Sequence, residues 1–334
     1  MEARGELGSG ARGRHLGYAA ALGSGAIWGL DGVLLGIALG MAPFTGGVSL
    51  AVAALAAAAM HDSLAGCWLL VYDTATHRRR HLWPALRSRS GAIVCVAALL
   101  GGPLAMSGYV LGIAFAGAAP TLAISAAYPA VGALLAGVFL HERVTRRLWL
   151  GIAACVLGAV VVSYSAASGL GPRPGLGMAL AGLAAVGWGG ESVLAARAMR
   201  TIDPAVAITL REFTSAAIYL AVILPAAAAY GVAAAAVDHL SFLLLCLVAL
   251  AGATAYLLMY WAVKRLGVGR AMPLNVTYAL WGIVFAVLFT GLRPGWTLVA
   301  GAALTVLGAT FIVSEPGSSS AAVDSGVATA AIEP

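Results

Sequence analysis

The sequence predicts an all-α integral membrane protein with ten transmembrane helices, and three observations point to this fold class. The 334 residues are 61% hydrophobic and only 10% charged, whereas soluble domains carry about 25% charged residues. Apolar stretches recur along nearly the whole chain, each close to the roughly 20 residues that cross the hydrocarbon core. Short connections rich in Gly, Pro or Arg separate these stretches. Together these features exclude a water-soluble enzyme.

The apolar stretches define the ten predicted spans, which are bounded by two polar ends. The spans are 17–39, 50–72, 91–114, 121–140, 146–165, 175–197, 205–229, 239–262, 270–290 and 296–313. The first stretch is too long for the core of a signal peptide, so we expect it to remain as the first span. Residues 1–15 are interpreted as a cytoplasmic tail, and the Ser- and Ala-rich residues 315–334 as a disordered one.

The Lys and Arg residues indicate how the helices are oriented. If the spans alternate, sixteen of the 19 lie on the same side as the N-terminus, and only Arg173 and Arg293 lie on the other. Cytoplasmic connections carry the excess of Lys and Arg, so both chain ends are predicted in the cytoplasm and the protein in the cell (inner) membrane. This bias explains the net charge of +6, and we expect no nucleic acid partner. The basic run His77–His81 could contact anionic lipid headgroups, although orientation alone accounts for it.

The chain contains two similar halves. The stretch LWLGIAACVLGAVVVS, which begins at Leu148, matches LVAGAALTVLGATFIVS, which begins at Leu298, at an offset of 150 residues. Each half, 16–167 and 174–314, holds five spans. Because five is odd, the second half must lie inverted relative to the first. Inverted repeats are a recurring design of transporters, although a duplicated scaffold could retain the same symmetry.

The repeat also relates the charged residues of the two halves. The offset of 150 residues places His61–Asp62 on Arg211–Glu212. The first helix of each half contains a similar motif. It reads WGLD at Trp28–Asp31 and WGGE at Trp188–Glu191, 160 residues later. The first half therefore carries about ten additional residues between its first two helices.

The two halves resemble the paired EamA-type domains of the drug/metabolite transporter superfamily. The resemblance is strongest over Tyr109–Ser165 and Tyr256–Ser314, where Tyr128–Pro129 lies within the fourth helix and the HER sequence His141–Arg143 closes it. A fifth helix punctuated by glycines follows. The acid of the HER sequence has no counterpart at Leu292, so a symmetric role for it does not follow from the resemblance.

The resemblance implies a ten-helix secondary-active transporter, and export of small organic metabolites such as amino acids or cationic or zwitterionic solutes. Alternating access by two rocking five-helix halves is the expected mechanism. A facilitative permease or importer and a non-transporting membrane scaffold are the alternatives. We expect no enzyme activity, because the sequence contains no phosphate-binding loop, HExxH or GxSxG motif. None of the four cysteines forms a CxxC pair, so we expect no cofactor and no metal site.

Ionisable side chains inside the spans are the first candidates for binding a substrate or a coupling proton, because such groups are costly in a bilayer. They are Asp31, His61, Asp62, Glu191, Arg211 and Glu212. A structural interpretation pairs Glu191 with Arg211, and Asp31 with His61. A functional interpretation has one or more of the acids bind a proton or a cationic group. The small-molecule substrate, protons and the lipid bilayer are the expected partners.

Helix geometry suggests where these charges lie. The topology places the charges of the first half about 12 Å from the outer ends of their helices at 1.5 Å per residue, and those of the second half equally far from the inner face. The two clusters are therefore predicted on opposite sides of the midplane. Neighbouring side chains on a helix diverge by about 100°, so both members of the His61–Asp62 pair are not expected to face one cavity.

Aromatic and amide side chains complete the set of candidates. Aromatic rings near a carboxylate suit ammonium or guanidinium groups through cation–π attraction. The candidates are Trp28, Tyr109, Tyr128, Trp188, Tyr256, Asn275, Tyr278 and Trp281.

Small residues and prolines lead to two further predictions. Gly32, Gly36 and Gly40 recur every four residues, a spacing that favours close contact with a neighbouring helix. Pro103, which follows two glycines, is the best candidate for a broken helix.

Overall fold

The computed structural model describes residues 2–165, 172–291, 293 and 295–314, and all regular structure in these ranges is helical. The predicted tail over 315–334 lies outside the described residues, as does Leu292. The long helices of the first half are α1 (Glu2–Leu39), α2 (Leu50–Ala75), α3 (Arg89–Ala116), α4 (Pro120–Phe139) and α5 (Arg146–Ser165). Those of the second half are α6 (Pro174–Ala198), α7 (Pro204–Ala226), α8 (Leu240–Leu266), α9 (Val268–Thr290) and α10 (Trp296–Val313).

The helices match the spans predicted from the sequence closely. Within the described residues, nine helices are long and apolar enough to cross a membrane. The remaining predicted span corresponds to α5, a helix of 20 residues. The first helix begins at Glu2, so residues 2–15 of the segment predicted as a cytoplasmic tail are helical.

Contacts between α5 and α10 show the inverted relation of the two halves. A Cβ atom on Gly151 would lie 3.0 Å from the carbonyl oxygen of Gly308, and one on Gly158 would lie 2.7 Å from that of Gly301. Residues further along α5 therefore contact residues that come earlier in α10. The two helices are therefore antiparallel, with backbones brought close by glycine.

Tight packing at this crossing leads to a first prediction. Gly308→Ala is expected to lower the free energy of unfolding by about 1–3 kcal/mol, the usual cost of overpacking. The added Cβ would lie 2.7 Å from both the Cys155 nitrogen and the Gly151 carbonyl oxygen, which are backbone atoms that cannot rotate away. Thermal unfolding in detergent measures the change. Gly36→Ala is the control, since no atom lies within 4 Å of its Cβ position. Equal unfolding temperatures for the two variants would contradict the close packing.

The first helix of each half packs against the opposite half. Helix α1 lies along α8 and α9, whereas α6 lies along α3 and α4. A Cβ on Gly29 of α1 would lie 2.7 Å from the backbone nitrogen of Gly282 in α9, and one on Gly189 of α6 would lie 3.0 Å from that of Gly132 in α4. Gly29 is equivalent to Gly189 in the repeat, and Gly282 to Gly132. Each half therefore packs its first helix against the other half in the same way, an arrangement that we call the exchange of first helices.

The glycine stripe predicted to pack on α1 was wrong. Gly32 and Gly36 have open space where a Cβ would stand, and Gly40 meets only carbonyl oxygens of its own helix. The close contacts of α1 are made instead by Gly25 and Gly29, which lie against α9. Spacing alone identifies a smooth helix face but not which face a neighbour covers.

The helices that are interrupted are α4 and α9. Each consists of two segments separated by a two-residue turn, at residues 126–127 and 276–277. A glycine with positive φ precedes each first segment, Gly117 at 92° and Gly267 at 81°. Glu142 caps the start of α9, because its carboxylate oxygens accept hydrogen bonds of 3.0 Å from the backbone N–H groups of Val268 and Gly269.

The prediction of a broken helix at Pro103 was wrong. The chain remains helical there and widens into a π-helical stretch, Leu100–Met106. Proline lacks the N–H that an α-helical turn requires, and one wider turn accommodates it without ending the helix. A second π-helical stretch, Tyr219–Ile223, lies in α7.

Candidate functional site

Two acid–base–acid groups lie at the centre of the bundle and are related by the repeat. The first triad consists of Asp31 on α1 with His61 and Asp62 on α2. His61 Nε2 lies 3.3 Å from Asp31 Oδ1, and His61 Nδ1 lies 3.1 Å from Asp62 Oδ1. The predicted pairing of Asp31 with His61 is thus present.

The second triad consists of Glu191 on α6 with Arg211 and Glu212 on α7. Arg211 Nε donates a hydrogen bond of 2.7 Å to Glu191 Oε1, and Arg211 Nη1 donates one of 3.0 Å to Glu212 Oε1. The guanidinium also lies 4.6 Å from the centre of the Tyr256 ring. The predicted pairing of Glu191 with Arg211 is therefore present as well.

The two triads are joined into one network, and their placement on opposite sides of the midplane stays a prediction. Arg211 Nη1 lies 3.6 Å from Asp62 Oδ2, and the Ser215 hydroxyl donates a hydrogen bond of 2.5 Å to that same oxygen. Helices α2 and α7 are in direct contact. The long guanidinium side chain spans the remaining distance between the symmetry-related positions.

The prediction that His61 and Asp62 could not both face one cavity was wrong. Each has a different neighbour, because His61 contacts Asp31 on α1 whereas Asp62 contacts Ser215 on α7. An angle of about 100° between adjacent side chains suits a helix with a partner on either side. Both side chains line the cavity described below.

The network is buried and contains more negative than positive groups. Its six ionisable residues are between 0 and 7% exposed. Four are carboxylic acids, whereas the bases are one guanidinium and one imidazole. The two ring nitrogens of His61 face carboxyl oxygens, and both contacts are hydrogen bonds to ionised carboxylates only if the ring carries both protons. Even then, the acids outnumber the bases by two, so a fully ionised network would favour further protons or a cation.

A cavity of about 170 Å³ adjoins the first triad. Its polar lining groups belong to that triad and to the aromatic residues Trp28 and Tyr109. The other lining residues are aliphatic or Met, namely Leu35, Leu39, Leu50, Ala54, Ala57, Ala58, Met106, Val110 and Ile113. Leu50 is 52% exposed, so the cavity extends from the triad towards the surface at the start of α2.

A chain of hydrogen bonds closes the bundle on the other side of the triad along α1. The Tyr128 hydroxyl donates to Asn275 Oδ1 at 3.0 Å, and Asn275 Nδ2 donates to the Ser24 hydroxyl at 2.9 Å. The Ser24 hydroxyl donates to the Ala255 carbonyl oxygen at 2.7 Å. Two of the predicted candidates thus link α4 to α9 and α1.

The tryptophans of the WG motifs occupy matching positions in the two halves of the sequence but have different neighbours. Trp28 lies with its ring centre 4.7 Å from that of Tyr256 and 6.4 Å from that of His61. Trp188 donates a hydrogen bond of 3.0 Å to the Gly101 carbonyl oxygen. Its ring centre lies 5.4 Å from that of Tyr109.

Of the fourteen predicted candidates, five line the cavity, and Trp281 and Tyr278 are among the nine that do not. Trp281 is 37% exposed and stacks on Phe285 with ring centres 6.3 Å apart. Tyr278 starts the second segment of α9 and packs against the hydrophobic core, beside Gly25. Asn275 and Trp281 do not share one helix face, because the turn at 276–277 separates the two helical segments in which they lie.

Sequence reasoning missed a buried acid on the same helix as Asp62 and two glycines that pack against the network. Asp73 is fully buried and accepts a hydrogen bond of 2.8 Å from the Thr209 hydroxyl. It lies eleven residues after Asp62, about three helical turns, and this spacing could have placed it on the same face. In the sequence, Gly101 and Gly102 stand out only because they precede Pro103. Side chains at these positions would overlap the Glu191 carboxylate and the Ser215 hydroxyl.

The described residues contain no group of three or more side chains arranged to hold a metal ion. Carboxylates and an imidazole are groups that can take up a proton, and carboxylates beside aromatic rings are groups that can bind an organic cation.

Comparisons with known proteins agree with this architecture. A model of the EamA-like transporter family matches residues 15–164 and 175–314. Protein LicB of Haemophilus influenzae is 26% identical over 187 residues, which are 55% of this chain and 62% of LicB, so the match spans less than two thirds of that relative. A solved crystal structure of a protein with 18% identity has a TM-score of 0.68 and shares the fold, with 90% of this chain and 95% of that chain covered. The two family matches cover most of the sequence, and the chain therefore belongs to the EamA-like transporter family.

Proposed function

We propose that the protein is a secondary-active exporter, as the family resemblance implies, of small organic metabolites that carry a cationic group. Amino acids and other cationic or zwitterionic solutes fit this description. The difference between the two triads is the observation that carries the proposal.

The second triad has a permanent cation, whereas the first has a titratable base. Arg211 remains charged at any physiological pH and contacts both Glu191 and Glu212. His61 loses its charge when it releases a proton, which leaves Asp31 and Asp62 without a cationic partner in their own triad. Of the two triads, the first lines the cavity. A cationic group that enters there meets two carboxylates and can replace the proton of the imidazole.

The remaining cavity lining suits a small ligand with one charged end. Trp28 and Tyr109 line the cavity, and the centre of the Trp28 ring lies 6.4 Å from that of His61. Aromatic rings near carboxylates favour ammonium groups. A volume of about 170 Å³ is below the roughly 300–1,000 Å³ of drug-sized sites. The aliphatic walls favour an apolar body over further charges.

Alternating access then connects binding to proton release. In the predicted orientation, with both chain ends in the cytoplasm, the cavity opens towards the outside and the Tyr128–Asn275–Ser24 chain closes the inner side. We infer that the network carries either the substrate cation or a proton between the two faces of the cell membrane. Arg211 serves as the fixed counter-ion that holds the halves together.

Transport in liposomes tests the proposal. Asp31→Asn is expected to reduce proton-driven uptake of a cationic substrate by at least about tenfold, because it removes a carboxylate from the cavity. Glu191→Gln is expected to reduce it as well, through the position of Arg211. Asp238→Asn, which changes an exposed acid in the connection between α7 and α8, is the control and should transport normally. Unchanged rates for both site variants would remove these acids from the mechanism.

The same assay separates the alternative functions. A facilitative permease would transport without any dependence on the proton gradient. A membrane scaffold would transport none of the solutes, and its thermal unfolding would not shift when cationic metabolites are added.

A further inference from the structure

The connection between α2 and α3 combines positive charge with exposed apolar side chains. It contains two short helical segments, Arg79–His81 and Leu82–Leu86. Trp83 is 59% exposed and Leu86 is 40% exposed. These two residues are three positions apart in one helical turn, so they lie on the same side of it.

Arginines surround this apolar side. Arg79 and Arg80 precede it and Arg87 follows it, and all three are exposed. The Arg87 guanidinium lies 4.3 Å from the centre of the Trp83 ring. Among the described residues, none of these three arginines forms an ion pair with a carboxylate.

The symmetry-related connection provides an internal comparison. It also holds a short helix, Tyr230–Ala236, between α7 and α8. That connection contains no Lys or Arg, and it carries Asp238. The shared fold therefore explains a short helix in this place. The two connections are predicted on opposite sides of the membrane, and the arginines belong to the cytoplasmic one, where they can meet anionic lipids.

We propose that residues 79–87 form a binding site for the headgroup of an anionic phospholipid. Trp83 and Leu86 enter the interfacial layer, where tryptophan is favoured. The guanidinium groups hold the phosphodiester by charge-assisted hydrogen bonds. Clusters of Lys and Arg next to a membrane-spanning helix attract anionic lipids in this way.

Contacts with the second half would transmit binding to the central network. Arg78 forms an ion pair of 3.4 Å with Asp203, and the hydroxyl groups of Ser90 and Thr201 lie 2.7 Å apart. Asp203 caps the start of α7, the helix that carries Arg211. A lipid on this connection is therefore linked to the start of the helix that holds the fixed counter-ion.

Native mass spectrometry of the full chain tests the site, with phosphatidylglycerol and phosphatidylcholine as probes. We expect preferential binding of phosphatidylglycerol. Combined Arg79→Gln, Arg80→Gln and Arg87→Gln substitutions should weaken it at least about tenfold. The matched control combines Arg143→Gln, Arg146→Gln and Arg147→Gln, which removes three exposed arginines from the connection between α4 and α5 and from the first turn of α5. The control should retain affinity within about twofold, since the lost charges lie elsewhere.

Further measurements distinguish a bound lipid from a bound free phosphate and establish whether each variant is folded. Equal losses in the two triple variants, or no preference in the unaltered protein, would overturn the proposal. Displacement of the lipid by soluble glycerol phosphate would also overturn it, by assigning the site to a free phosphate. Trp83→Ala should weaken binding, whereas Trp149→Ala in α5 should not. Circular dichroism establishes that each variant is folded, and the readout does not depend on transport.

Discussion

Arg211→Met is expected to lower the free energy of unfolding by about 3–5 kcal/mol, the usual cost of removing one partner from a buried ion pair. The guanidinium is 1% exposed and lies within 3.6 Å of carboxylate oxygens of Glu191, Glu212 and Asp62. Its loss leaves these acids buried without a permanent cation. Transport should be lost at the same time, because the two triads are no longer joined.

Thermal and denaturant unfolding in detergent measure this effect. Arg197→Met makes the same chemical change at an exposed position on α6, and such surface changes usually stay within about 0.5 kcal/mol. Adding Glu191→Met to Arg211→Met should restore part of the lost stability, because one unpaired acid is removed. If Arg211→Met unfolded at the same temperature as the Arg197→Met control, the buried network would not stabilise the fold.

Gly101→Ala is expected to have the second large effect, a loss of transport of at least about tenfold with a destabilisation of about 1–3 kcal/mol. A Cβ at this position would overlap the Glu191 carboxylate. Glu191 would have to move, and its hydrogen bond of 2.7 Å with Arg211 would lengthen or break. The absence of a side chain at Gly101, in the π-helical stretch of α3, thus leaves the space that the Glu191 side chain of α6 occupies.

A helical glycine with free space serves as the control for this variant. No atom lies within 4 Å of the Cβ position of Gly182 on α6, so Gly182→Ala should be neutral or slightly stabilising. Liposome transport and thermal unfolding are compared for the two variants. Normal transport by Gly101→Ala would show that the placement of Glu191 against α3 is unimportant.

The fold and the members of the network could be predicted from the sequence because both depend on local patterns. Apolar length identifies the spans, and an ionisable residue within a span is rare enough to single out Asp31 or Glu191. The repeat predicted which residues are equivalent. It also explains why both triads have the same order of acid, base and acid.

The contacts between the triads could not be predicted because they depend on how separate helices pack. The distance from Asp62 to Arg211 follows from the contact of α2 with α7, which helical periodicity does not determine. The same holds for α1, where Gly25 rather than Gly32 faces a neighbour. The cavity likewise adjoins only the first of the two equivalent triads. The repeat treats the triads alike and therefore cannot predict which of them the cavity adjoins.

The exchange of first helices has a consequence for the synthesis of the protein. Helix α1 leaves the ribosome long before its partners, since the Ser24 hydroxyl bonds to a carbonyl oxygen 231 residues later. Until α8 and α9 are inserted, the polar face of α1 must be sheltered by lipid headgroups, water or the insertion machinery. Neither repeat can complete its own interior, so two separately expressed halves would have to assemble together before either became mature.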